Sequence, residues 1–260
     1  MKFLQIEVNK QNYLLDTDVV TELLHFIEPM STSYHNTMID GVINYKDKII
    51  PIVSIRKLLD FISFKDEQLS FISKVENQHR AWVDEFANSL QTGEEFTKAL
   101  DPHKCELGKW IEKTKNCLHC NTYGFVDLLS DEIIQHHDAL HQSGARFLQA
   151  KEEDTQVQID TIKKIADNTI EGLHRVSKNI EKLTSAFEQV VLLNIDGQNI
   201  GIVVDRIEKT HDLEEKEFFT STKNLSSSSE YIQFINHYEI ENSLMFSINF
   251  TQKFQELFSE

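Results

Sequence analysis

A cysteine and three histidines carry the clearest chemistry in this sequence. Cys105 stands in Pro102-His103-Lys104-Cys105-Glu106-Leu107-Gly108-Lys109-Trp110. His79 precedes it, with Trp82 three residues on, and His137-Asp138-Ala139-Leu140-His141 follows. On a helix, residues four apart share one face, so the imidazoles of His137 and His141 can reach a common point. A cysteine and a further histidine from other helices would close a tetrahedron around a metal ion. Three imidazoles and one thiolate suit zinc by ligand type. His136 competes with His137, but it lies five residues from His141 and points less alike. Taken singly, each of these residues has an ordinary reading: His79 as a core histidine, Cys105 as a small buried hydrophobe, and Trp82 and Trp110 as packing. Cys117-Leu118-His119-Cys120 is a second cluster. With no distant partner pair it reads as an exposed corner between helices.

The elements that must position these donors are helical. Between about 63 and 188 the chain holds one proline and five glycines, and apolar residues recur by threes and fours. Ile162, Ala166, Thr169, Leu173, Val176, Ile180, Leu183 and Phe187 form a heptad stripe. Leu69, Ile72, Glu76, His79, Val83, Phe86 and Leu90 form a similar one. The spacing predicts helices near 64–91, 103–117, 122–150 and 155–188. In an up-down-up-down bundle, His79 and the 137/141 pair fall roughly 18 and 16 Å below the same end, at one level. The stripe at 162–187 either packs on 64–91 within the chain or forms a dimer seam.

The flanks have strand texture. Short runs rich in β-branched residues occupy 1–60 (FLQIEV, MIDGVINY, KIIPIVSI) and return from 190 (VVLLNI, IGIVVDRI, SLMFSINF). Asp196-Gly197 between two such runs marks a hairpin. The serine run at 226–229 reads as a loop. The order strands, helices, strands predicts an α+β multidomain protein, a β domain with a helical domain inserted in one of its loops. Its boundaries are 1–62, 63–188 and 189–260.

At 260 residues with 40% apolar composition and seventeen phenylalanines, a sizeable core can be buried. The net charge of −16 disfavours a nucleic acid or an anionic membrane as partner. No apolar run reaches the roughly 20 residues that span a bilayer, and the N-terminus lacks a secretory pattern. We expect a cytoplasmic protein. Its three cysteines then read as thiols or metal ligands, not as a disulfide framework.

Together, His79-x-x-Trp82, Cys105-Glu-Leu-Gly-Lys-Trp110 and His137-x3-His141 resemble the chemoreceptor zinc-binding (CZB) domain, over roughly 75–147. The resemblance implies a small helical bundle holding zinc through His79, Cys105, His137 and His141. Gly108 would then allow close packing, and Trp110 would wall the site off from water. Ile49-Ile50-Pro51-Ile52-Val53 and Gly201-Ile202-Val203-Val204-Asp205-Arg206-Ile207 are similar to the CheW-like domain of bacterial chemotaxis, over about 1–60 and 190–255. That resemblance implies a pair of five-stranded β-barrels and a non-catalytic adaptor joining a chemoreceptor tip to the histidine kinase CheA. One departure stands out: the family turn carries Arg-Gly where this chain has Lys46-Asp47, and lysine lacks arginine's planar two-point grip.

The functional expectation is a zinc-binding chemotaxis adaptor whose coupling to kinase or receptor is tuned by metal or by oxidation of Cys105. The alternative is a zinc buffer or a purely structural zinc. An enzyme is not expected. Four protein ligands close the position a zinc hydrolase needs open, and no phosphate loop, nucleophile elbow or HExxH is present. A homodimer through the helical insert stays open.

Overall fold

A computed structural model describes residues 1–31, 37–116, 133–150, 154–180, 187–213 and 229–258. The chain divides into two compact units, Met1–Phe64 with Phe187–Glu260, and Lys65–Ala186.

Among the described residues, the first unit has ten strands: β1 (Lys2–Val8), β2 (Gln11–Asp16), β3 (Val20–His25), β4 (Gly41–Tyr45), β5 (Lys48–Ser54), β6 (Gln189–Ile195), β7 (Gln198–Val204), β8 (Arg206–Asp212), β9 (Ile232–Ile240) and β10 (Ser243–Phe250). They form two curled five-stranded mixed sheets, ordered β8-β1-β2-β10-β9 and β3-β6-β7-β5-β4. This is the pair of five-stranded sheets, with helices inserted between β5 and β6, that the sequence predicts. Neither sheet belongs to one end of the chain. Each is joined across the insert by a parallel pair, β2 with β10 and β5 with β7, and residues from both ends share one core around Leu4, Ile6, Val53, Val191, Ile202 and Ile248.

Four hairpins use two-residue turns with both residues at positive φ: Asn9-Lys10, Lys46-Asp47, Asp196-Gly197 and Glu241-Asn242. That geometry matches the right-handed twist of the flanking strands, and Asn and Asp tolerate it better than most residues. Gly201 has a different reason. Paired with Ile52, it would place a Cβ 2.3 Å from the Ile52 Cδ1, so a side chain at the β5–β7 junction would have to displace that buried isoleucine.

Beside this junction lies a buried ion pair. Helix α1 (Ile55–Leu58) follows β5 and carries Arg56, which is 2% exposed. Its Nε donates to Asp205 Oδ1 at 2.6 Å and its Nη2 to Oδ2 at 2.5 Å, while Nη1 donates to the Ile62 carbonyl at 3.1 Å. The Asn9 backbone N–H supplies a further donor to Asp205. The Arg56 guanidinium also stacks on Phe64, 5.2 Å from the ring centre, and Phe64 packs on Phe187. The residues where the chain leaves and re-enters the β unit therefore meet over one buried arginine.

The second unit is helical: α2 (Phe64–Thr92), α3 (Glu106–Lys115), α4 (Gln135–Gln149) and α5 (Thr155–Lys178), with a 3-10 turn at Pro102–Lys104. Asp154 caps α5 by accepting from the N–H groups of Gln156 and Val157. Trp82, Val83 and Phe86 of α2, Leu140 and Phe147 of α4, and Ile162 and Ala166 of α5 form one cluster. The heptad stripe from Ile162 through Ile180 is buried within the chain, and Leu183 lies outside the described residues. The expected helix at 122–150 is described from residue 133 on, and Cys117-Leu118-His119-Cys120 and the serines at 226–228 also lie outside. No helix among the described residues is long and apolar enough to cross a membrane.

Candidate metal centre

Three elements of the helical unit bring the four donors together. His79 sits on the buried face of α2, three residues before Trp82. His137 and His141 lie one turn apart on α4, both buried. Cys105 occupies the N-cap of α3, where its Sγ accepts from the Gly108 N–H at 3.2 Å. Gly108 is dictated by sterics: a Cβ there would fall 1.8 Å from the Pro102 carbonyl oxygen. The turn carrying the cysteine could not otherwise fold back onto the start of α3.

One ligand atom from each of His79, Cys105, His137 and His141 lies within 4.8 Å of the other three. Cys105 Sγ and His137 Nε2 are 3.1 Å apart. The imidazoles are 3%, 1% and 0% exposed for His79, His137 and His141, and their ring centres are 5.2, 5.9 and 4.7 Å apart for 79–137, 79–141 and 137–141. In tetrahedral zinc the donor atoms are about 3.3–3.6 Å apart, given bonds of about 2.0 Å to nitrogen and 2.3 Å to sulfur. The cluster therefore needs only small side-chain adjustments to meet that geometry.

The hydrogen bonding provides a sharper test of fit. His79 Nδ1 lies 2.6 Å from the Val75 carbonyl and His141 Nδ1 lies 3.1 Å from the Ala99 carbonyl. A carbonyl oxygen only accepts, so both Nδ1 atoms carry the proton and both Nε2 atoms keep a lone pair. Those two Nε2 atoms are buried without a hydrogen-bond partner. A buried polar atom left unpaired costs about 1–3 kcal/mol, which a cation between them would offset. A backbone carbonyl behind each ligating imidazole is also the usual outer partner of a zinc-bound histidine.

Burial holds the imidazoles in the neutral, ligand-competent form. It lowers the His79 pKa against the opposing pull of the Val75 carbonyl. It pushes His137 down to about 2, helped by His141 and His79, and His141 down to about 4, helped by His79 and opposed by the Ala99 carbonyl. Burial raises the Cys105 thiol, although the N–H groups at Gly108 and Leu107 and the Lys109 charge pull it the other way. The residues present thus fit zinc, which would supply the positive charge that stabilises a buried thiolate.

His136 is half-buried and stands outside the four-residue group. Trp110 packs on Phe71, with ring centres 5.5 Å apart. The tryptophan ring against the donors is that of Trp82, 5.3 Å from His141. The Ala99 carbonyl has no signature in side-chain spacing. A cue to the seat of Trp82 lies in Gly144, a glycine inside a helical pattern, where a Cβ would fall 2.4 Å from the indole Cη2.

Comparison with known proteins agrees with this geometry. Residues 79–148 match the family model of the chemoreceptor zinc-binding domain, and residues 2–89 match that of the CheW-like domain. One chain therefore combines a CheW-like domain with a zinc-binding signalling domain, and zinc is its cofactor. The CheW-like match ends inside α2. Strands β6–β10 fall beyond it, although they share both sheets with β1–β5. The chain is similar to the crystal structure of the scaffolding protein TtCheW from Thermoanaerobacter tengcongensis, at 10% identity and a TM-score of 0.44, over 100% of this chain and 92% of that one. No curated protein matches the sequence.

Proposed function

We propose that the protein is a non-catalytic cytoplasmic adaptor of chemotaxis, joining a chemoreceptor tip to the kinase CheA, with zinc in the insert 63–188 tuning that coupling. His79, Cys105, His137 and His141 are its ligands. The observation that carries this reading is the pair of unpartnered Nε2 atoms, on His79 and His141, buried beside a thiol and a third imidazole.

The physical route runs through the chain. Zinc would tie α2 to α4 and to the cap of α3. Helix α2 continues from the segment after β5, and the segment after α5 leads into β6. Metal binding contributes directly to folding stability, so losing zinc loosens the elements that flank both connections. A protonated Cys105 would also be a poorer acceptor for the Gly108 N–H, weakening the α3 cap. A groove of about 870 Å³ reaches Cys105, His79 and His141 between α2 and residues 98–106, giving a chelator or an oxidant access to the thiolate. Oxidation of a zinc-bound thiolate would release the metal.

The Lys46-Asp47 turn bears on partner contact. Lys46 Nζ pairs with both carboxylate oxygens of Glu22, and the Tyr45 hydroxyl donates to the same group. A partner that uses arginine at this turn would meet a lysine already engaged.

Association of the full chain with the CheA regulatory domain, measured with and without zinc and after oxidant treatment, tests this reading. A changed affinity on metal removal supports tuning. Equal affinity in all three states reduces zinc to a scaffold or buffer. The same samples run by sedimentation report whether the insert forms a homodimer.

A further inference from the structure

Two N–H groups converge on one backbone oxygen beside the metal donors. The indole Nε1–H of Trp82 donates to the Ala99 carbonyl at 2.8 Å, and Nδ1 of His141 lies 3.1 Å from the same oxygen. A carbonyl oxygen has two lone pairs, and here both are used. The protonated Nδ1 leaves the lone pair of His141 on Nε2, the atom buried without a hydrogen-bond partner.

Ala99 lies between α2 and the Pro102–Lys104 turn, in a stretch outside any regular helix, so no helical ladder fixes its carbonyl. Side chains of α2 strap this stretch down. Ser89 Oγ donates to the Glu94 carbonyl at 2.6 Å. Glu85 accepts from the Thr97 N–H and hydroxyl at 2.8 and 2.7 Å. Trp82 acts on the Ala99 carbonyl itself. Its indole is well placed for this: it is buried, stacked on Phe86 with ring centres 5.3 Å apart and planes 5° from parallel, edge-on to His141, and seated over Gly144.

We infer that Trp82 is a positioning residue of the metal centre. Through the Ala99 carbonyl it holds His141 in the tautomer and orientation that present Nε2 to zinc. The inference rests on the zinc reading, so its first test needs no metal. In the zinc-free full chain, with histidine ¹⁵N-labelled, the tautomer of His141 is read by long-range NMR correlation. Wild type is expected to carry the proton on Nδ1, and Trp82→Phe, which keeps an aromatic ring but loses the N–H, to populate the Nε2–H form. Zinc affinity by chelator competition should fall about tenfold in Trp82→Phe, the scale on which outer partners of metal ligands act. Phe86→Leu, which removes the stacking partner and leaves the carbonyl bond, should keep both tautomer and affinity. In a His141→Ala background Trp82→Phe should cause no further loss, because coupled residues are not additive. Replacing Trp82 by 3-benzothienylalanine in a Trp110→Phe background keeps the ring shape without the N–H, and repeats the test should Trp82→Phe fail to fold. An unchanged His141 tautomer in both Trp82 variants overturns the inference, as does an equal loss of affinity with and without His141. A wild type that binds no zinc overturns the metal reading instead, and the tautomer measurement tells the two failures apart.

Discussion

Cys105 Sγ and His137 Nε2 stand 3.1 Å apart although thirty-two residues separate them in sequence. The contact brings the N-cap of α3 to the face of α4, and His79 and His141 complete the cluster around it. A thiol and three neutral imidazoles packed this closely in a buried place are poorly solvated by one another. A divalent cation would make the arrangement favourable.

Proton release should report that chemistry. Burial keeps the imidazoles neutral at pH 6–8, with His137 at about 2 and His141 at about 4, and keeps Cys105 protonated in the metal-free protein. Zinc binding should therefore displace close to one proton per ion, from Cys105, and affinity should rise about tenfold per pH unit across that range. Calorimetry in buffers of differing ionisation enthalpy counts the proton. Cys105→Ser should lower the affinity by more than the 10–100-fold that loss of an outer partner costs.

Glu188 gives stability a pH dependence of its own. It is buried beside the Arg56–Asp205 pair, and its pKa is raised to about 8, first by burial and then by the Asp205 charge, against the pull of Arg56. Below its unfolded value near 4.5 the group is protonated in both states and imposes no penalty. Between there and about 8 the unfolded chain gives up a proton that the folded chain keeps, so stability falls as pH rises, by at most about 1.4 kcal/mol per pH unit. Glu188→Gln should flatten this decline in urea titrations between pH 5 and 8, and should be the more stable protein at pH 8.

Arg56 and Asp205 should behave as a coupled pair. Arg56→Met alone leaves a buried carboxylate without its counter-charge and should cost about 3–5 kcal/mol. Arg56→Met with Asp205→Leu should cost clearly less than the sum of the single changes, because replacing both charges removes the desolvation penalty. Chemical denaturation of the four proteins at one pH completes the cycle. Strict additivity would mean that the bidentate contact carries no coupling.

Local periodicity made part of this molecule legible in advance. The heptad stripe from Ile162 to Ile180 and the His79 stripe recur every three or four residues, and the His-x3-His step is a helical spacing, so sequence alone could nominate four donors and the helices bearing them. The strand texture of both flanks was equally local. What escaped was long-range or backbone-borne. That Arg56 grips Asp205 across 149 positions, and that the two flanks interleave in both sheets through parallel pairs, depends on topology and not on spacing. Asp196-Gly197 announced its hairpin, and VNKQN and YKDK read as polar turns, but the left-handed backbone of Asn9-Lys10, Lys46-Asp47 and Glu241-Asn242 forms with no glycine to signal it. The Ala99 carbonyl is peptide backbone, which no residue type betrays, and its two donors on α2 and α4 are apparent only once the helices pack.

The central claim is that one zinc ion sits among His79, Cys105, His137 and His141. X-ray absorption at the zinc edge of the purified full chain, with metal content measured on the same sample, tests it most directly. The account predicts one zinc per chain, with three nitrogen neighbours at about 2.0–2.1 Å and one sulfur at about 2.3 Å, and loss of the sulfur shell in Cys105→Ala. A zinc-free protein, or a zinc shell without sulfur in the unaltered chain, would contradict it.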